Sequence, residues 1–304
     1  MQEPARVRGL WCASLTPLAA DGGIDTTRLV AHIRSLFARG VDGAAPFGTT
    51  GEGPSFSVAE RRAALEALLE GGVPVERVLD GTGTAAFPDA VDLTRHALGC
   101  GVARCLVVPP FFYKNVADEA VFTYYAKLID AVADDRLRLY LYHIPQFSGV
   151  SVTPATVRRL AADFPGVIGG VKDSGGDWRN TERLLEEVPD LDILVGHEPH
   201  LPRLMGSGGA GTICGVANVY PEIVAALLAP AVTAEDEARI EAVLAVLAGV
   251  PFVPAFKTIR AAQTGDPGWA GVRPPWIELD TNARQALFAA IAAKGLPLAP
   301  ALAP

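Results

Sequence analysis

Eight times along this chain a short run of β-prone apolar residues is followed by a stretch with helical spacing. The runs cover residues 10–15, 43–47, 77–80, 105–108, 137–142, 167–171, 193–195 and 211–214. Most are nearly continuous in apolar side chains, as parallel strands buried on both faces require. Helical spacing fills the intervals, most clearly at residues 27–38, 58–69, 89–98 and 119–132. Eight strand–helix units within residues 1–230, at about 25–30 residues each, predict a (β/α)8 barrel. Residues 231–304 are expected to form a helical extension packed on that barrel, with helices at 234–247, 252–263 and 282–293. Pro274 and Pro275 break the chain between the last two. The Pro/Ala-rich end, residues 296–304, is expected to fray.

An open doubly wound sheet accommodates the same alternation. No Gly-x-Gly-x-x-Gly follows the first strand, so a dinucleotide site has no support. Half of the 304 residues are apolar and a fifth are charged, which excludes a disordered or fibrous chain. A net charge of −8 argues against nucleic acid as a partner. The apolar stretch at residues 223–232 is interrupted by Pro230 and is too short to span a membrane. Residues 1–9 carry Arg6 and Arg8 without the apolar core of a signal peptide. Cys12, Cys100, Cys105 and Cys214 lack metal-ligand spacing, so reduced thiols and a cytoplasmic location are expected.

In a (β/α)8 barrel the reactive groups sit at the C-terminal ends of the strands. Three strand ends carry them here. The sixth runs Val167-Ile168-Gly169-Gly170-Val171 into Lys172, one of only five lysines against 21 arginines. Burial disfavours an ammonium, and the neutral amine is the nucleophile. The competing reading is an ordinary ion pair with Asp173 next door. The fifth strand places Tyr140 and Tyr142 on one face and Leu139 and Leu141 on the other. Tyr142, at its end, is either a proton carrier or a core aromatic with its hydroxyl paired. The second strand ends in Phe47-Gly48-Thr49-Thr50-Gly51-Glu52-Gly53, a tight loop with backbone amides and two hydroxyls suited to a carboxylate. Such a loop can equally be a plain connection.

Taken together, these stretches resemble the dihydrodipicolinate synthase/N-acetylneuraminate lyase family, Schiff-base-forming class I lyases on a (β/α)8 barrel. Gly48-Thr49-Thr50-Gly51-Glu52 is similar to the family's carboxylate loop and Tyr142-His143-Ile144-Pro145 to its tyrosine motif. Gly170-Val171-Lys172-Asp173-Ser174 resembles its lysine motif, and Gly211-Thr212-Ile213-Cys214 with Ala217-Asn218-Val219 its eighth-strand segment. The resemblance implies that Lys172 forms an imine with pyruvate or another 2-keto acid, and that Tyr142 relays protons. It implies that Thr49 and Thr50 hold the carboxylate and orient Tyr142, with Gly48, Gly196 and Ile213 offering backbone contacts. The second substrate is an aldehyde. No metal or organic cofactor is implied, and a homo-oligomer, dimer or tetramer, is.

Two departures stand out. Where the synthases carry an arginine two residues after the motif's proline, this chain has Phe147. Where the family places an interfacial tyrosine after the fourth strand, it has Phe112, with Tyr113 one place later. Both tilt the expectation toward cleavage or formation of a 2-keto-3-deoxy sugar acid or 4-hydroxy-2-oxo acid. Dihydrodipicolinate synthesis, a 2-keto-3-deoxy acid dehydratase and a non-catalytic barrel are the alternatives. His197-Glu198-Pro199-His200 has ligand-type residues, but Pro199 disfavours a helix and no third ligand can be placed. His197, next to Gly196, is instead expected to read distal hydroxyls of the substrate.

Overall fold

The computed structural model describes residues 6–298. Eight parallel strands make one sheet, in the order β2-β1-β8-β7-β6-β5-β4-β3. The strands are β1 (Gly9–Cys12), β2 (Gly43–Ala44), β3 (Asp80–Gly81), β4 (Arg104–Val107), β5 (Arg138–His143), β6 (Ile168–Asp173), β7 (Asp192–Val195) and β8 (Gly211–Cys214). β1 pairs with β8, and a parallel bridge from Ala44 to Val78 joins the two ends of the order, closing the barrel. The (β/α)8 expectation is met.

The wrapping helices are α1 (Thr26–Ala38), α2 (Val58–Glu70), α3 (Phe87–Gly99), α4 (Asp118–Val132), the single turn α5 (Pro145–Ser148), α6 (Pro154–Asp163), α7 (Trp178–Glu187), α8 (Leu201–Gly206) and α9 (Pro221–Ala226). Three more follow: α10 (Ala234–Leu247), α11 (Phe252–Thr264) and α12 (Thr281–Ala293). No single helix among the described residues is long and apolar enough to cross a membrane. Of the C-terminal stretch expected to fray, Leu296 is instead buried, and its amide donates to Ile291 O at 3.1 Å. Residues 299–304 lie outside the described residues.

Successive strand residues point to opposite faces, and each face has its own core. Trp11, Leu106, Tyr140, Tyr142, Leu194 and Ile213 fill the barrel interior. Leu10, Cys12, Leu139, Leu141, Ile193 and Val195 face the helices. The expected alternation of the two tyrosines against Leu139 and Leu141 is therefore present. The interior is crowded enough to demand glycine at Gly170, where a Cβ would stand 2.2 Å from Asp192 O and 2.8 Å from the Tyr140 ring. Below that layer the barrel's N-terminal end is plugged. Tyr140 donates to Asp192 Oδ2 at 2.9 Å, the Val7 amide to the same oxygen at 3.1 Å, and Arg6 pairs with Asp192 Oδ1 at 2.8 Å. The opposite end stays open.

β2 and β3 are shorter than the sequence suggests. Pro46 has no amide to donate, and Phe47 takes φ +57°, which bends the chain out of the sheet. Residues 75–77 wind into a 3-10 turn where the third strand was expected to begin. The loop after β2 then turns again at Glu52, also at φ +57°. Its side chain forms a buried ion pair with Lys257 of α11, both side chains being wholly enclosed. Glu52 Oε2 also accepts from the Arg273 amide at 2.8 Å, and Lys257 donates to Gly271 O at 2.7 Å.

Breaking a buried pair leaves one uncompensated charge in the interior. Lys257→Met is expected to lower stability by about 3–5 kcal/mol, and Glu52→Gln added to it should recover much of that loss. Denaturant midpoints of the two variants check this. An undiminished midpoint for Lys257→Met would show that the pair contributes nothing.

Candidate active site

The open end of the barrel holds a cavity of about 280 Å³. Strands β5 and β6 run side by side with Tyr142 opposite Lys172, so both side chains enter the cavity from adjacent positions. Lys172 is 3% exposed, and its Nζ stands 4.3 Å from the centre of the Tyr142 ring.

The ion pair with Asp173 is not formed. Alternation turns Asp173 out of the barrel, where Oδ1 accepts from the Gly175 amide at 2.9 Å. Oδ2 accepts from Asn180 and Thr181, each at 2.9 Å. The carboxylate is held by the start of α7 and its loop, leaving the amine to the cavity. Gly196 keeps the space beside it. A Cβ there would lie 2.0 Å from Ser174 Oγ and 3.4 Å from Lys172 Cε.

Tyr142 is buried, but its hydroxyl is at the cavity wall, 3.2 Å from Thr49 Oγ1. The tie expected from both threonines is thus made by Thr49. His143, the next residue, faces outward, and its Nδ1 accepts from the Val152 amide at 3.0 Å. Burial holds the His143 imidazolium below its usual range, although Asp173 and Asp177 pull the other way. Thr50 lines the cavity with Thr49. The amides of both donate to no acceptor among the described residues.

Ile213 and His197 also line the cavity. The His197 ring meets that of His200 edge-on at 4.6 Å, and His200 meets Trp178 at 5.6 Å. Phe147 is at the rim, 52% exposed, with its ring 5.8 Å from that of Phe252. Gly48 lies just below, beside Thr49 and Tyr142. Phe112 and Tyr113 do not join this wall; they stand 74% and 73% exposed on the connection from β4 to α4. Arg138 lies at the far end of β5, donating to the carbonyls of Asp135 and Leu137.

Sequence reasoning missed two contributions. Glu198 follows His197 in a 3-10 turn and is buried in the cavity wall. Burial raises its carboxyl above the ordinary range, against the opposing pull of Cys214 and Lys172. The sequence marked Glu198 only as one of a run of ligand-type residues, and its burial follows from where β7 ends. The second is the C-terminal helices themselves. Leu244 and Leu247 of α10 and Phe252 and Phe256 of α11 close one side of the cavity. They were expected to pack on the barrel, but their helical periodicity did not show that they would line its open end. As for ligand atoms, Glu66, His96 and Cys100 come within 4.8 Å of one another on α2 and the end of α3, and none lines the cavity.

Comparison with known proteins identifies the family and agrees with the fold. Residues 6–294 match the model of the Dihydrodipicolinate synthetase family. An uncharacterized DapA-like lyase of Chloroflexus aurantiacus is 35% identical over 295 residues, covering 95% of this chain and 97% of the relative. A 4-hydroxy-tetrahydrodipicolinate synthase of Chlorobium limicola is 33% identical over 77% of this chain and 78% of its own length. Among solved structures, dihydrodipicolinate synthase from Agrobacterium tumefaciens superposes with a TM-score of 0.87 at 35% identity, covering 94% and 98% of the two chains. YagE from E. coli K12, solved in complex with pyruvate, does so with 0.85 at 26%, covering 96% and 100%. A match running through barrel, strand-end lysine and C-terminal helices alike places this chain in the dihydrodipicolinate synthetase family.

Proposed function

We propose that this protein is a Schiff-base lyase that cleaves or forms a 4-hydroxy-2-oxo acid or 2-keto-3-deoxy sugar acid, with pyruvate as one product or substrate. The observation that carries the reading is the Lys172 amine, enclosed in the barrel mouth, forming no salt bridge among the described residues and lying over the Tyr142 ring. The pyruvate bound to YagE and the lyase name of the Chloroflexus relative support it.

The chemistry follows from the placement. The amides and hydroxyls of Thr49 and Thr50 hold the keto-acid carboxylate, with Gly48, Gly196 and Ile213 offering backbone contacts. Lys172 adds to the C2 carbonyl, and loss of water leaves a protonated imine. In the cleavage direction the C3–C4 bond breaks, and its electron pair moves into the imine to give an enamine. The proton of the C4 hydroxyl leaves toward Tyr142, and an aldehyde departs. Protonation at C3 and addition of water then release pyruvate and the free amine. Tyr142 is 3.2 Å from Thr49, so its hydroxyl is already aimed by a partner.

A second reading is 4-hydroxy-tetrahydrodipicolinate synthesis, the activity named for the Chlorobium relative. Phe147 weighs against it. That substrate brings a second carboxylate, which an arginine would grip bidentately and a phenyl ring cannot. We further propose that residues 1–230 and 231–304 act as one catalytic unit, since α10 and α11 wall the cavity. We place the protein in the cytoplasm, in keeping with its four free cysteines. A homo-oligomer fits the exposed Phe112 and Tyr113, whose rings pair edge-on at 5.3 Å.

Borohydride added with pyruvate is expected to leave an adduct on Lys172, located by peptide mapping. An adduct on another lysine, or none, would sink the mechanism. Tyr142→Phe keeps the ring and its packing, and kcat should fall by roughly 10²–10⁴-fold with a smaller effect on pyruvate KM. An unchanged kcat returns Tyr142 to the core. Aspartate semialdehyde is expected to be a poor partner for pyruvate. If it outperforms every other aldehyde tested by tenfold in kcat/KM, about 1.4 kcal/mol of transition-state binding, the synthase reading replaces this one.

A further inference from the structure

We infer that the aldehyde half of the substrate is apolar. The 4-hydroxy-2-oxo acid handled here carries an aromatic or branched aliphatic group on C4, in place of a polyhydroxyl chain or a second carboxylate. This rests on the Schiff-base reading and adds to it the nature of the group beyond C4.

The wall that faces outward from Lys172 is the basis. Phe147 comes from the turn after β5, Leu244 and Leu247 from the end of α10, and Phe252 and Phe256 from α11. The rings are arranged edge to face. Phe252 meets Phe147 at 5.8 Å, Trp276 at 5.5 Å and Phe256 at 6.4 Å. Phe147 is half exposed at the rim although it belongs to an aromatic cluster. An aromatic surface left open beside a reactive centre gains when an apolar group covers it.

Polar capacity at the same depth is small. Gln146 already donates to Ser174 O at 2.7 Å, and Glu198 is enclosed and tied to Cys214 and to backbone. His197, Ser174 and the amide oxygen of Gln146 remain, too few to satisfy a chain of hydroxyls, each of which costs free energy when buried unpaired. Lys172 is the sole basic side chain lining the cavity other than the histidine. Lys114, near the β5 turn, is held by the carbonyls of Phe111 and Ser148. Nothing in the wall offers a cation to a second carboxylate.

In the condensation direction the pyruvate enamine's C3 attacks the aldehyde carbon, and the new C3–C4 bond takes the enamine's electron pair. The aldehyde oxygen takes a proton from Tyr142, and the substituent is left against Phe147 and Phe252. Water then frees the product from Lys172. Atoms balance as pyruvate plus aldehyde giving one 4-hydroxy-2-oxo acid.

The test compares benzaldehyde and 3-methylbutanal with glyceraldehyde and aspartate semialdehyde, each with pyruvate and the intact enzyme. The better apolar aldehyde is expected to exceed both polar ones by at least tenfold in kcat/KM. Phe252→Ser should bring that ratio below about threefold. Phe147→Ser, at a half-exposed position, reads the same effect should the first variant not fold. Borohydride trapping of pyruvate on Lys172 is run alongside. With the adduct present, a win for either polar aldehyde overturns the inference and leaves the Schiff base standing. A ratio that survives both serine variants overturns it too, since the preference would not come from this wall. Absence of the adduct overturns both readings.

Discussion

A lysine amine inside a barrel has to be kept from carboxylates, and most of the site follows from how that is done. The two-residue period of β6 sends Lys172 inward and Asp173 outward, where three donors hold the carboxylate. Neighbouring strands supply what the buried amine needs. Gly196 at the end of β7 gives it room, and Tyr142 on β5 gives it an aromatic face at 4.3 Å. A one-residue slip of β6 would exchange the two side chains and abolish the site, so the register is under stronger constraint than packing alone imposes.

The loop proposed to receive the carboxylate is held by a different device. Between Phe47 and Glu52 the chain passes twice through left-handed conformations, which non-glycine residues enter at a cost. The enclosed Glu52–Lys257 pair sits at the end of this loop and ties it to α11. Arg273 adds bonds to Gly22 O at 2.6 Å and Ser55 O at 3.2 Å, and its guanidinium holds the Glu60 carboxyl down at about 2. Asn218 does similar work beside β1, accepting from the Leu15 amide and donating to Ala13 O and Gly215 O. Stability and substrate recognition therefore share residues. The C-terminal helices stiffen the carboxylate loop with polar anchors and line the cavity with apolar ones.

The barrel was legible because it rests on periodicity, which any parallel strand between two apolar layers must show. Lys172, Tyr142 and Thr49 stood out because strand ends in this fold have a known side, but each alone also allowed a structural reading, and the roles came from the resemblance of the motifs taken together. Strand edges were less so. The left-handed Phe47 and the 3-10 turn at residues 75–77 arise from local geometry that no apolar pattern encodes. Glu52 and Lys257 are separated by some two hundred residues, and a buried ion pair leaves no mark in composition. Glu198 escaped for a related reason, since its burial depends on where β7 ends and how the following turn folds back.

The charge pattern of the cavity has a consequence for what it can hold. Lys172 is the one lysine or arginine among the described residues lining the cavity, and once it forms the imine the positive charge on that nitrogen is needed as the electron sink. In the proposed reaction the keto-acid carboxylate would be met by amides and hydroxyls, which pair with it without neutralising it. One anion can therefore be accommodated beside the protonated imine with near balance. A second would face the enclosed Glu198 and a wall of phenyl and leucyl groups, in a chain whose net charge is already −8. Stripping the second carboxylate's water and leaving its charge unpaired both act against such a substrate. An apolar substituent meets neither penalty and covers rings that water otherwise wets. The substitution of phenylalanine at position 147 is thus one part of a wall whose other members, on α10 and α11, share its apolar character.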